Sequence, residues 1–273
     1  MRIMELFNHL LNICLSLIIY FVIALAASKI VKKTGGNIKE IKSRVSTNIL
    51  LIGAVSNILI LVFVLILLIF LNNRPINSLG INFSSKDLFF SITIAFIISL
   101  SAVIFNYWLR NKKKFRLEIH LPFQGIHEAT GFVLGIIVLL IVAIQEEVLF
   151  RGYIILNLLK YGIPAVIIIS TLIFAAIHIL TNRVSIYQFT GWILGGLIFS
   201  IVYLITGSIW VPVIIHFLTD INNMLLFNIT GKYSFIIITP PITDKHRAIY
   251  KTINLLITLV LLTLFYGTQI RII

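Results

Sequence analysis

The chain of 273 residues carries a net charge of +13, yet only 11% of it is charged and 59% is hydrophobic, with a mean hydropathy of +1.08. A soluble domain runs at about 45–50% apolar and about 25% charged, so this composition excludes a soluble globular protein and places the chain in a membrane. The basic residues lie between apolar runs, with no basic–aromatic stripe. That excludes a nucleic-acid partner and leaves topology signals and lipid head groups as the use of the charge.

Crossing a hydrocarbon layer of about 30 Å takes about 20 apolar residues. Eight such runs are predicted, at 10–28, 47–71, 88–109, 130–159, 163–180, 185–205, 207–229 and 250–270. The first follows a segment holding Arg2 and Glu5 and is succeeded at once by Lys29, Lys32 and Lys33. Its end, "ALAAS", resembles a signal-peptide cleavage site, but this charge order favours an uncleaved span with the N-terminus outside. The single cysteine, Cys14, lies within that run, so there is no disulfide framework and no cysteine zinc site. The fourth run is too long for one straight crossing and is expected to tilt or bend. In the sixth, Gly191 and Gly195 form G-x-x-x-G, which reads as close helix packing. "HEATG", at His127 and Glu128, lacks the second histidine of a zincin motif. No repeat is visible and no loop could hold a soluble domain. The expected architecture is an all-α polytopic membrane helix bundle of about eight transmembrane helices, forming one domain over residues 1–273.

Sixteen Lys and Arg residues fall in the loops after the first, third, fifth and seventh runs, against five on the opposite side. Positive charge marks the cytoplasmic side, so both termini are expected outside. The one basic residue left over is Arg151, inside the fourth run, in "QEEVLFRGY".

Ionisable groups in the bilayer centre are costly and face a bundle interior or a cavity. Three acidic residues lie within predicted spans, Glu146, Glu147 and Asp220, and so do His178 and His216. At about 1.5 Å of rise per residue from the outer end of each span, Glu146, His178 and Asp220 lie about 20–22 Å deep, and His216 about 14 Å. Three helices thus bring carboxylates and imidazoles to similar depth. Glu147 and Arg151 are four residues apart and share a face, which allows a neutralising ion pair. Glu146 points about 100° away and is left for chemistry. His216 and Asp220 are also four apart. Pro212 removes a backbone donor from that helix and is expected to bend it.

The residues form an ordered set. "EEVLFR" fits E-E-x-x-x-R, "FAAIH" fits F-x-x-x-H and "HFLTD" fits H-x-x-x-[ND], on successive spans within about residues 130–229. The set resembles the CPBP family of intramembrane proteases, also called the Abi or type II CAAX prenyl endopeptidase family. The resemblance implies a catalytic core over 130–229 that hydrolyses a peptide bond near the cytoplasmic side. Glu146 would activate water and His178 would assist. His216 and position 220 would stabilise the oxyanion, and Arg151 would hold Glu147 and the fourth helix in place. No metal or other cofactor is expected, with a single zinc ion as the alternative. The implied partners are membrane lipid and a peptide or protein substrate, membrane-bound or lipid-modified. The Ile-, Lys- and Asn-rich composition suggests an AT-rich genome and a bacterial plasma membrane.

Hydrolysis needs a base working near neutral pH and donors for the oxyanion. An ionised Asp only accepts hydrogen bonds. Either Asp220 is protonated and donates, or it orients His216. Three buried carboxylates sharing Arg151 favour the protonated form. A non-proteolytic regulatory or bacteriocin-immunity protein on the same scaffold is the rival function. A proton-coupled transporter is disfavoured by the absence of an inverted repeat.

Overall fold

The computed structural model describes residues 2–33, 47–113, 115–119, 121, 123, 125–181, 185–227 and 233–267. Of the basic residues used for topology, Lys39, Lys42, Arg44, Lys114, Arg183, Lys232 and Arg271 lie outside these, as do the C-terminal ends of the seventh and eighth predicted spans.

Eight helices make the bundle: α1 (Arg2–Lys33), α2 (Thr47–Leu71), α3 (Ser85–Lys113), α4 (Ile126–Tyr161), α5 (Ile163–Thr181), α6 (Ile186–Thr206), α7 (Trp210–Leu226) and α8 (Asp244–Tyr266). Six are long and apolar enough to cross a membrane, whereas the apolar parts of α5 and α7 are shorter, Ile163–Ile179 and Trp210–Leu226. These two shorter helices carry His178, His216 and Asp220. The chain is a multi-pass membrane protein.

Two contacts show which connections share an end of the bundle. Strand β1 (Arg116–Ile119), after α3, pairs antiparallel with β2 (Ile236–Thr239), after α7, with Arg116 opposite Thr239. At the other end, the turn between α2 and α3 meets the turn between α6 and α7, where the Ile209 N–H donates to the Gly80 carbonyl at 2.9 Å. Gly80 has φ +71°, and a Cβ there would stand 2.2 Å from the Gly207 carbonyl oxygen, so only glycine fits. The alternation of ends required by the predicted crossings is therefore present.

α4 is the axis of the bundle. Every residue from 145 to 158 is buried, as expected of a helix that is apolar on all sides. Its 36 residues rise about 54 Å. They include a π-helical stretch, Val148–Ile154, directly after Glu147. Local π turns are a common feature of helices at functional sites. The outer helices carry the lipid-facing surface, with Phe7, Ile18, Val22, Phe63, Phe96 and Leu264 all exposed. In a bilayer those side chains meet acyl chains.

Pro212 does not bend α7. The helix begins at Trp210, so the proline lies in the first turn, where backbone N–H groups have no intrahelical partner in any case. The G-x-x-x-G reading also shifts. Gly191 and Gly195 border a cavity. The glycine that brings helix backbones together is Gly196, where a Cβ would stand 3.2 Å from the Thr171 Cα of α5.

Candidate active site

Glu147 is shut from solvent, and one of its oxygens, Oε1, holds two partners. Arg151 Nη1 donates to it at 3.1 Å, with both side chains 0% exposed. His216 Nδ1 lies 2.7 Å from the same oxygen and links α7 to α4. The ion pair takes the geometry that four-residue spacing predicts. The histidine bond is additional, because it depends on how α7 is rotated against α4. Arg151 Nη2 also reaches the Gly196 carbonyl at 3.4 Å. Its guanidinium lies over the rings of Phe174 at 4.5 Å and Phe199 at 5.1 Å. Phe199 in turn stacks on the His216 ring, with centroids 5.0 Å apart and planes 17° apart.

One residue earlier, Glu146 faces the other way. It borders a cavity of about 300 Å³ with His178, His216 and Asp220. Its Oε1 stands 3.8 Å from His178 Nε2 and its Oε2 3.9 Å from His216 Nε2. These separations are too long for direct hydrogen bonds and leave space for a small polar group between the partners. His178 Nδ1 donates to the Phe174 carbonyl at 2.8 Å, which fixes the ring with Nε2 toward Glu146. Asp220 Oδ2 is 3.5 Å from His216 Nε2. All six residues singled out by the sequence therefore meet at one place. Tyr20 of α1, in a helix that the sequence marked only by hydropathy, lies within electrostatic reach of Glu146.

The sequence reading missed the far wall of the cavity, formed by Thr219, Asn223, Lys251, Asn254 and Thr258. Lys251 was counted with the cytoplasmic loop, but it lies two turns inside α8. It acts electrostatically on Asp220. The premise that the buried carboxylates share Arg151 alone is thus corrected, and the argument for a protonated Asp220 loses its basis. Nothing in the spacing of Lys251 marked it. Among the described residues no group of three or more His, Cys, Asp or Glu side chains is disposed to hold a metal ion.

Fold and site together define a multi-pass membrane protein with a carboxylate–imidazole centre at an internal cavity. Residues 128–222, from α4 into α7, match the Rce1-like type II CAAX prenyl endopeptidase family, a family of intramembrane proteases, as the three motifs led us to expect. Comparisons with curated proteins and with solved structures give no match.

Replacing Arg151 by Ala would leave Glu147 buried without its cation, a change that typically costs about 3–5 kcal/mol. Thermal denaturation in detergent should show a larger loss for Arg151→Ala than for Glu146→Gln. The opposite order would show that the buried pair does not hold α4 in place.

Proposed function

We propose that the chain is an intramembrane endopeptidase in which Glu146 activates the attacking water. One observation carries this reading: of two adjacent carboxylates, Glu147 is consumed by Arg151 and His216, while Glu146 borders the cavity between two imidazoles. Glu146 takes a proton from water as the oxygen attacks the scissile carbonyl carbon. His178, with its Nδ1–H committed to the Phe174 carbonyl, presents a neutral Nε2 that accepts a hydrogen bond from the same water. The C–N bond then breaks as Glu146 returns the proton to the amine.

The oxyanion needs a donor, and His216 supplies it. Its two ring nitrogens face Glu147 and Asp220, and only an imidazolium donates to both. Asp220 is then an ionised acceptor that orients His216. The substrate we envisage is a membrane-bound peptide or protein reached from the cytoplasmic side of a bacterial plasma membrane. Lipid surrounds the bundle, and nucleic acid plays no part.

Glu146→Gln keeps the side-chain shape but removes the base. Cleavage of a peptide pool by the purified protein, followed by mass spectrometry, should fall about 10²–10⁴-fold. Undiminished cleavage by the variant would refute the assignment of the base. A folded wild type that cuts nothing would favour a non-proteolytic regulatory or immunity role on the same scaffold.

The chemistry proposed uses no metal. Elemental analysis of the purified protein should find far less than one zinc per chain. A stoichiometric zinc, lost together with activity in His178→Ala, would replace the glutamate base with a metal-activated water.

Asp220→Asn exchanges a charged acceptor for a neutral amide and should lower kcat about 10²-fold or more, by loosening the histidine it orients. Full activity in that variant would show that position 220 acts as a donor.

A further inference from the structure

α8 lies outside the family-matched segment, yet it supplies part of the wall of the same cavity. Asn254 is 6% exposed. Its side-chain oxygen accepts from Ser101 Oγ at 2.8 Å, while its Nδ2 has no hydrogen-bond partner among the described residues and the residue borders the cavity. Lys251 precedes it by three positions, so the two share a face of the helix. Lys251 is the one Lys or Arg among the residues lining this cavity. A Cβ at Gly191 would stand 3.1 Å from its Nζ, so the glycine makes room for the ammonium group.

The charges acting on Lys251 are those of Asp220, Arg247 and Asp244, and both carboxylates are engaged elsewhere. Asp220 faces His216 Nε2 at 3.5 Å. Asp244 accepts from Ser185 Oγ at 2.7 Å and Gln188 Nε2 at 3.3 Å, and pairs with Arg247 at 3.6 Å. No carboxylate stands within ion-pair distance of Lys251 among the described residues. A buried ammonium and a buried amide N–H, both donors and both lacking an acceptor, are an unfavourable arrangement by themselves. A group with two acceptor oxygens and a negative charge satisfies both.

We infer that Lys251 and Asn254 form a subsite for a carboxylate of the bound peptide. The ligand's identity as a peptide rests on the endopeptidase reading; the donor pair does not. The apolar lining beside it, Ile98, Leu194, Ile198 and Ile215, suits aliphatic neighbours of that carboxylate. The carboxylate comes either from the chain terminus or from an acidic side chain.

The test is a titration of the full chain in detergent carrying Glu146→Gln, which binds without cutting. Fluorescence of Trp192, which borders the cavity, reports binding, and Trp192→Phe shows that the signal arises there. The probes are acetyl-Leu-Ile-Ala as free acid, the same peptide as C-terminal amide, and acetyl-Leu-Ile-Glu as amide. The free acid should bind at least about tenfold tighter than its amide. That preference should vanish in Lys251→Gln, persist in Lys251→Arg and weaken in Asn254→Leu. Equal tightening by the glutamyl amide assigns a side-chain carboxylate; tightening by the free acid alone assigns the chain terminus. Equal binding of all three probes, no binding of any, or a preference surviving Lys251→Gln would each overturn the subsite. The preference holding while the wild type cuts nothing would sink the endopeptidase reading and leave the subsite standing.

Discussion

A single buried oxygen, Glu147 Oε1, holds the centre of this protein together. It accepts from the Arg151 guanidinium on its own helix and from the His216 imidazole on α7. A carboxylate this far from solvent is tolerated only when paired and hydrogen-bonded. Closing the bundle around that charge therefore requires α4 and α7 to meet in one rotational setting. Arg151 extends the same requirement to α6 through the Gly196 carbonyl and to α5 through the face of Phe174. Because successive helical residues are rotated by about 100°, burying Glu147 in the packing turns Glu146 toward the cavity.

Small residues and one tight turn make that closure sterically feasible. The turn Ile76–Leu79 presses on α4 at Gly152, where a Cβ would stand 2.6 Å from Leu79 Cδ2. Gly80 then passes against Gly207, and the hydroxyl of Tyr203 donates to the Leu79 carbonyl at 3.3 Å. These contacts fix the end of the bundle opposite the β ribbon. They act on α4 just beyond Arg151, where its backbone is π-helical. The packing that holds the site is thus continuous with the packing that holds the bundle.

The family-matched segment and the cavity do not coincide. Residues 128–222 hold both glutamates, Arg151, both histidines and Asp220, but α3 contributes Ile98, and α8 contributes Lys251, Asn254 and Thr258. Chemistry and enclosure are therefore supplied by different parts of the chain. Substitutions on α8 can alter what occupies the cavity without touching the base.

Composition and periodicity determined the class of the protein. Hydrophobic runs long enough to cross a membrane are legible one helix at a time, because satisfying the backbone in lipid leaves a helix as the only local solution. The Glu147–Arg151 pair was legible for the same reason, since four-residue spacing acts within one helix. The ordered motifs marked the residues that would meet. Tertiary structure alone decided the rest. The bond from His216 to Glu147 depends on the rotation of one helix against another, which no spacing within α7 encodes. Lys251 was read as a loop charge because a lysine near the end of a span can reach outward to the interface or inward to a cavity. The room left at Gly191, on a different helix, decides which. The harmless position of Pro212 followed from where α7 begins, and that start lies in a turn fixed by Gly80 from a distant part of the chain. Local patterns fix what each helix is; the interlocking of side chains between helices fixes which groups face one another.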